Sequence, residues 1–166
     1  MSKRAFMRVA LAACAPSAGL DVRTFAPDDA QALGALMYRA YLDTEDYEGE
    51  TPEQSAAEVA KTIAGGYGEF MPACSKVVAR ADALASATLI TRFQDRPFVA
   101  FTFTDPEYAG RGLARACMRA AMAELAAQGE RELRLVVTLA NLKFPHPEPE
   151  FSCSINHLRW NPGLGF

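Results

Sequence analysis

The sequence predicts an α/β layer, with a mixed and largely antiparallel sheet flanked by helices in the order β-α-α-β-β-β-α-β. Three observations predict it. Pro97-Phe-Val-Ala-Phe-Thr-Phe-Thr104 is an apolar, β-rich run that Asp105-Pro-Glu-Tyr-Ala-Gly110-Arg-Gly112 breaks and a helical pattern follows. Strand-like runs from Lys76 to Ala81, Leu84 to Phe93 and Pro97 to Thr104 are only a few residues apart, which favours antiparallel hairpins. Two amphipathic helical segments come before them.

Taken in order, Leu20-Asp-Val-Arg-Thr-Phe25 is a short first strand. Pro27, Asp28 and Asp29 open a helix that places Ala30, Leu33, Leu36, Met37, Ala40 and Tyr41 at helical spacing. An acidic loop, Asp43 to Glu50, leads to Thr51-Pro52-Glu53-Gln54, which reads as a capping box with proline at the first helical position. That second helix runs to about Ala64 and stops at Gly65-Gly66. After the three central strands, Leu113 to Gln128 is helical and free of β-branched residues, and Gly129 is placed to end it. Leu133-Arg-Leu-Val-Val-Thr-Leu139 is the last strand.

The 166 residues suit one domain with a real core, read here as residues 20–141 between a leader (1–19) and an atypical proline-rich tail (142–166). A net charge of −3 argues against broad nucleic-acid binding. No apolar run approaches the roughly 20 residues a bilayer span needs. Leu11-Ala-Ala-Cys14 has the small-residue character of a lipoprotein cleavage site, yet Arg8 interrupts a very short apolar run. A frayed leader is the favoured reading. Cys14, Cys74, Cys117 and Cys153 include no C-x-x-C pair, so no disulfide framework is expected and a reducing cytoplasm is the expected location.

The glycine turn carries most of the functional information. A turn feeding a helix leaves backbone N–H groups unpaired and pointing one way, and the helix dipole adds partial positive charge. Such a turn suits a phosphate or pyrophosphate. The nucleoside-triphosphate loop fails, because Gly112 is not followed by Lys-Ser/Thr, and the dinucleotide fingerprint fails because it wants glycine where Arg115 stands. Asp105 to Ala114 instead resembles motif A of the GCN5-related N-acetyltransferase (GNAT) superfamily, Gln/Arg-x-x-Gly-x-Gly/Ala. Gly110, Arg111 and Gly112 match its core, while Glu107 departs from the usual first residue. The element order from about Asp21 to Asn141 matches that fold as well.

The resemblance implies a GNAT-like sheet and acetyl transfer from acetyl-CoA, as co-substrate, to a primary amine of a small molecule or peptide by direct attack. It places the CoA pyrophosphate on the N–H groups of Gly110, Arg111, Gly112, Leu113 and Ala114. Arg115 either adds a cation there or is a solvated helix arginine. The resemblance also sets the pantetheine arm beside Phe101, Thr102, Phe103 and Thr104, paired main chain to amide. A backbone N–H in that region could polarise the thioester carbonyl. Glu107 and Asp105 flank the turn and are the candidate bases, with solvent-facing loop carboxylates as the alternative.

Relatives often carry a tyrosine in a pattern like Asn-x-x-Ala-x-x-Leu-Tyr, then Leu-Gly-Phe. Asn141 and Leu164-Gly165-Phe166 match its ends, but all five tyrosines precede residue 109. Pro145, Pro147 and Pro149 exclude a helix in between, and a frame shift, an insertion or an engineered end are the readings this tail admits. His146, Cys153 and His157 are too few for a metal site, and none is expected. The acidic loop would attract a cationic amine, or simply be solvated. Tyr38 and Tyr41 read as core and rim of the first helix. An alternative function is a CoA-binding module with little activity, since the tyrosine motif is missing. No membrane partner is expected, and a homodimer is admissible.

Overall fold

A computed structural model describes residues 4–11, 20–44, 46–138 and 157–159. The elements are β1 (Arg4–Ala10), β2 (Val22–Thr24), α1 (Ala30–Tyr41), α2 (Pro52–Ile63), β3 (Glu69–Phe70), β4 (Lys76–Arg80), β5 (Ala83–Phe93), β6 (Arg96–Thr104), α3 (Leu113–Ala127), β7 (Glu132–Thr138) and β8 (His157–Arg159). They form one mixed sheet in the order β1-β7-β6-β5-β4-β2, with β3 added on β5 and β8 on β6. Every pairing is antiparallel except β6 with β7. The expected element order is present from β2 to β7. The capping box of α2 forms as read, with the Thr51 hydroxyl accepting from the Gln54 N–H and the Gln54 side chain accepting from the Thr51 N–H.

Helices cover both faces of the sheet. On one, Leu33, Leu36 and Tyr41 of α1 and Val59 of α2 pack with Phe101 and Phe103 of β6. On the other, Met118, Ala121 and Leu125 of α3 pack with Ile90, Val99, Leu133 and Leu135. A bulge between Leu89 and Ile90 shifts the register of β5 on β6, so Leu89 faces Phe101 but Ile90 faces Val99. The extra residue, Ala100, lets Phe101 and Phe103 both turn to the α1–α2 face while Val99 serves the α3 face. Between β5 and β6 the α3 side is lined by hydroxyl pairs, Thr88 with Thr102 at 3.0 Å and Ser86 with Thr104 at 2.9 Å. Burial pushes the Cys117 thiol up to about 12, so this cysteine is an inert core residue.

The segment set apart as a leader contributes a strand. Arg4–Ala10 pairs antiparallel with β7, Met7 opposite Leu135 and Val9 opposite Leu133. Met7 and Val9 pack on the α3 side of the core while Arg8 is exposed. Arg8 occupies the outward position of a period-two strand. Cys14, the tail residues His146 and Cys153, and the whole of 139–156 lie outside the described residues, and so do 160–166. Among the described residues no group of histidine, cysteine and carboxylate side chains could hold a metal, and no helix is long and apolar enough to cross a membrane.

Candidate active site

The site is organised by the end of β6. The Asp105 N–H donates to the Ala85 carbonyl at 2.8 Å, and the chain then leaves the sheet in a single 3-10 turn, Pro106–Tyr108. The Asp105 carboxylate does two things there. One oxygen accepts the Glu107 N–H at 3.0 Å and the other accepts Arg39 Nε at 2.7 Å. The turn is thus tied to α1 through a largely covered carboxylate, and Glu107 is left exposed beside it.

Gly110 and Gly112 both have φ of 75°, a left-handed backbone that favours glycine. A Cβ at either would meet nothing within 4 Å, so the turn opens onto free space rather than onto packed protein. Gly112 is the N-cap of the fifteen-residue α3 and supplies no side-chain cap. The first-turn N–H groups consequently face outward without a serine, threonine or carboxylate to take them. Leu113 and Ala114 anchor that first turn by burial, whereas Arg111 and Arg115 are exposed. The Arg111 guanidinium lies 5.3 Å from the centre of the Tyr108 ring. The expected pyrophosphate residues are thereby gathered at one open helix terminus. Phe103 and Thr104 lead straight into it, both with side chains buried.

A second feature changes what the strand edge can do. β6 and β7 pair in parallel only at Phe98 with Arg134. Beyond that point β8 lies antiparallel on β6, with Phe101 opposite Arg159, Thr102 opposite Leu158 and Phe103 opposite His157. Part of the tail is therefore a strand of the sheet.

Phe101 also lines a cavity of about 350 Å³ between α1, α2 and the loop joining them. Tyr38, Tyr41, Tyr47 and Phe101 supply aromatic surface, and Glu50 and Glu58 supply carboxylates. The Tyr67 hydroxyl donates to Glu58 Oε1, and Lys61 Nζ donates to the same hydroxyl at 3.1 Å. Burial, and then the Glu58 carboxylate, hold the Tyr67 hydroxyl above its ordinary range. Tyr47 donates to the Glu50 carbonyl at 3.2 Å, and burial and the neighbouring Tyr38 raise its hydroxyl as well. Tyr38 and Tyr41, expected as core and rim of α1, both line this cavity, as does Glu58. Tyr38 and Tyr41 lie three residues apart on α1, but no carboxylate stands at helical spacing from Glu58 on α2, so nothing in the sequence pattern marks it.

A family model for the acetyltransferase (GNAT) family matches residues 35–143, about two-thirds of the chain. The chain belongs to the GNAT acetyltransferase family. Its fold is similar to that of a GCN5-related N-acetyltransferase from Sphaerobacter thermophilus, with a TM-score of 0.62 at 19% identity over 81% of this chain. The chain spans 42% of the length of that protein. A GNAT family acetyltransferase from Brucella melitensis, solved in complex with acetyl-CoA, is similar with a TM-score of 0.54 at 15% identity, covering 69% of this chain and 73% of its own. An N-acetyltransferase from Staphylococcus aureus Mu50 has a TM-score of 0.51 at 17% identity, covering 70% of this chain and 72% of its own. At these identities the likeness is one of fold. No curated protein matches the chain.

Proposed function

We propose that this GNAT chain transfers the acetyl group of acetyl-CoA to a primary amine of a small molecule or peptide by direct attack. The observation that carries the reading is the open, uncapped glycine turn at the start of α3, set at the end of β6. Acetyl-CoA is the co-substrate that family membership indicates, and the Brucella protein was solved with it. The turn fits its pyrophosphate: N–H groups of Gly110, Arg111, Gly112, Leu113 and Ala114 would hold the phosphates, and exposed Arg115 would add positive charge. The main chain at Phe103 and Thr104 would lie along the pantetheine arm.

In the reaction the amine nitrogen bonds to the thioester carbonyl carbon and the carbon–sulfur bond breaks. The amine's proton leaves to a base and returns to the departing thiolate. Holding both substrates in line would supply much of the acceleration. Glu107 is the proposed acceptor of the proton, directly or through water. Asp105 is proposed to serve by holding the turn, because both its oxygens are engaged.

Two measurements test this. Acetyl-CoA is expected to raise the midpoint of thermal unfolding, and a panel of primary amines to release CoA thiol above the amine-free rate. Stabilisation with no turnover would leave a CoA-binding module instead. Absence of both effects would sink the reading. The same titration on a chain ending at Asn141 is expected to show severalfold tighter acetyl-CoA binding, because β8 and a pantetheine arm would pair with the same stretch of β6. Equal or weaker binding there would mean that the arm does not use that edge.

A further inference from the structure

We propose that Arg39 of α1 is a positioning residue for the glycine turn, acting through Asp105. Its charge offsets a carboxylate that the turn needs for its shape but that would otherwise repel the phosphates of acetyl-CoA. The inference rests on reading Gly110 to Ala114 as the pyrophosphate site. It starts from local charge. Residues 105–115 hold two carboxylates, Asp105 and Glu107, and two arginines, Arg111 and Arg115, so the segment is neutral by itself. Arg39, 66 positions before Asp105, supplies the excess positive charge.

Asp105 has a structural task that keeps it there. It is the N-cap of the 3-10 turn by which the chain leaves β6, and one oxygen accepts the Glu107 N–H at 3.0 Å. The same carboxylate leaves a negative charge at the approach to the glycines. Arg39 Nε donates to its other oxygen at 2.7 Å, the length of a charge-assisted bond. The Asp105 side chain is only 13% exposed, so water screens it little and the guanidinium is what offsets its charge. Glu107, by contrast, is exposed and screened by solvent.

Both partners are held from the sheet. The Asp105 N–H donates to the Ala85 carbonyl at 2.8 Å, and Arg39 Nη2 reaches the Leu84 carbonyl at 3.5 Å. These are neighbouring residues at the start of β5, while Arg39 itself stands in the last turn of α1. A pair that merely fastened α1 to the sheet would contribute through its bond, whatever the charge beside it. A pair that serves the anion contributes through charge, and a neutral residue in place of Asp105 then makes Arg39 dispensable.

The test uses the full chain, with calorimetry for acetyl-CoA, inorganic pyrophosphate and S-acetylpantetheine, which has the arm without phosphates. Arg39→Met is expected to weaken acetyl-CoA and pyrophosphate binding about fivefold and to leave S-acetylpantetheine unchanged. The loss should shrink as salt is raised, and Arg39→Lys should keep most of the affinity. Asp105→Asn retains an acceptor for the Glu107 N–H without the charge. It should bind acetyl-CoA at least as tightly as the parent, and it should restore the affinity that Arg39→Met loses. Unchanged acetyl-CoA affinity in Arg39→Met, an equal loss for S-acetylpantetheine, or a double variant no tighter than Arg39→Met would overturn the proposal. Should Arg39→Met fail to fold, Asp105→Asn decides alone, and weaker acetyl-CoA binding in it overturns the proposal. A parent that binds pyrophosphate but not acetyl-CoA would overturn the donor reading instead, and the pyrophosphate titrations then decide the role of Arg39. A parent that binds neither would overturn both.

Discussion

Gly112→Ala is expected to weaken acetyl-CoA binding about tenfold while lowering the stability of the free protein by well under the full backbone cost. An L-residue held at φ of 75° pays about 1–2 kcal/mol, which corresponds to roughly 5- to 30-fold in an equilibrium. Where that cost falls depends on what holds the glycine in place. A Cβ there touches nothing within 4 Å and the residue is exposed, so no packing enforces the left-handed conformation. The free chain is expected to relax the turn and start α3 a little differently. Binding a pyrophosphate must then restore the original geometry, and the cost appears in affinity. Gly129→Ala is the control, since its φ is 85° with equally open surroundings, but it lies after the far end of α3. It should change stability comparably and leave acetyl-CoA affinity alone. Calorimetric titration and denaturant unfolding of both variants read the two quantities. A Gly112→Ala protein that loses the full stability and keeps its affinity would show that the turn is rigid or unused.

The proposed donor half is legible in the sequence because it is local. Strand, glycine turn and helix are contiguous from Pro97 to Ala127, and each glycine marks a backbone need that shows in the residue type itself. The cavity between α1 and α2 is not local. It joins Tyr38 and Tyr41 to Tyr47, Glu58 and Phe101, and the side on which Phe101 emerges depends on a bulge at Ala100 that no residue type announces. Asp105 shows the same difficulty from another direction. Its place beside the turn suggests a free base, but Arg39, distant by 66 positions, binds its carboxylate. The first strand was hidden by a third cause. A lone arginine in a short apolar run reads as a break until a neighbouring strand shows which face is outward, as Leu133 and Leu135 do for Val9 and Met7.

Gly34→Val is expected to damage the cavity between α1 and α2 and the fold together, and to spare acetyl-CoA binding. Gly34 is buried in α1 where that helix crosses α2, and a Cβ there would fall 2.7 Å from Ala56 Cα and 2.9 Å from Ala56 Cβ. Its backbone is ordinary helix, so the glycine is required by space and not by φ. Two effects then oppose each other. Any side chain gains up to about 1 kcal/mol of helix propensity over glycine. Overlap with a backbone atom cannot be relieved by a rotamer change, and overpacking of this kind costs about 1–3 kcal/mol or more. The clash wins, and the helices must separate. Tyr38 and Tyr41 move with α1 while Glu58 moves with α2, so the cavity widens and the ring surfaces part from the carboxylate. The midpoint of denaturant unfolding should fall, with acetyl-CoA affinity close to that of the parent because α3 packs on the other face of the sheet. Gly34→Ala should show a smaller fall. An alanine variant more stable than the parent would mean that α2 can yield at Ala56 and that the close approach of the two helices is not what shapes the cavity.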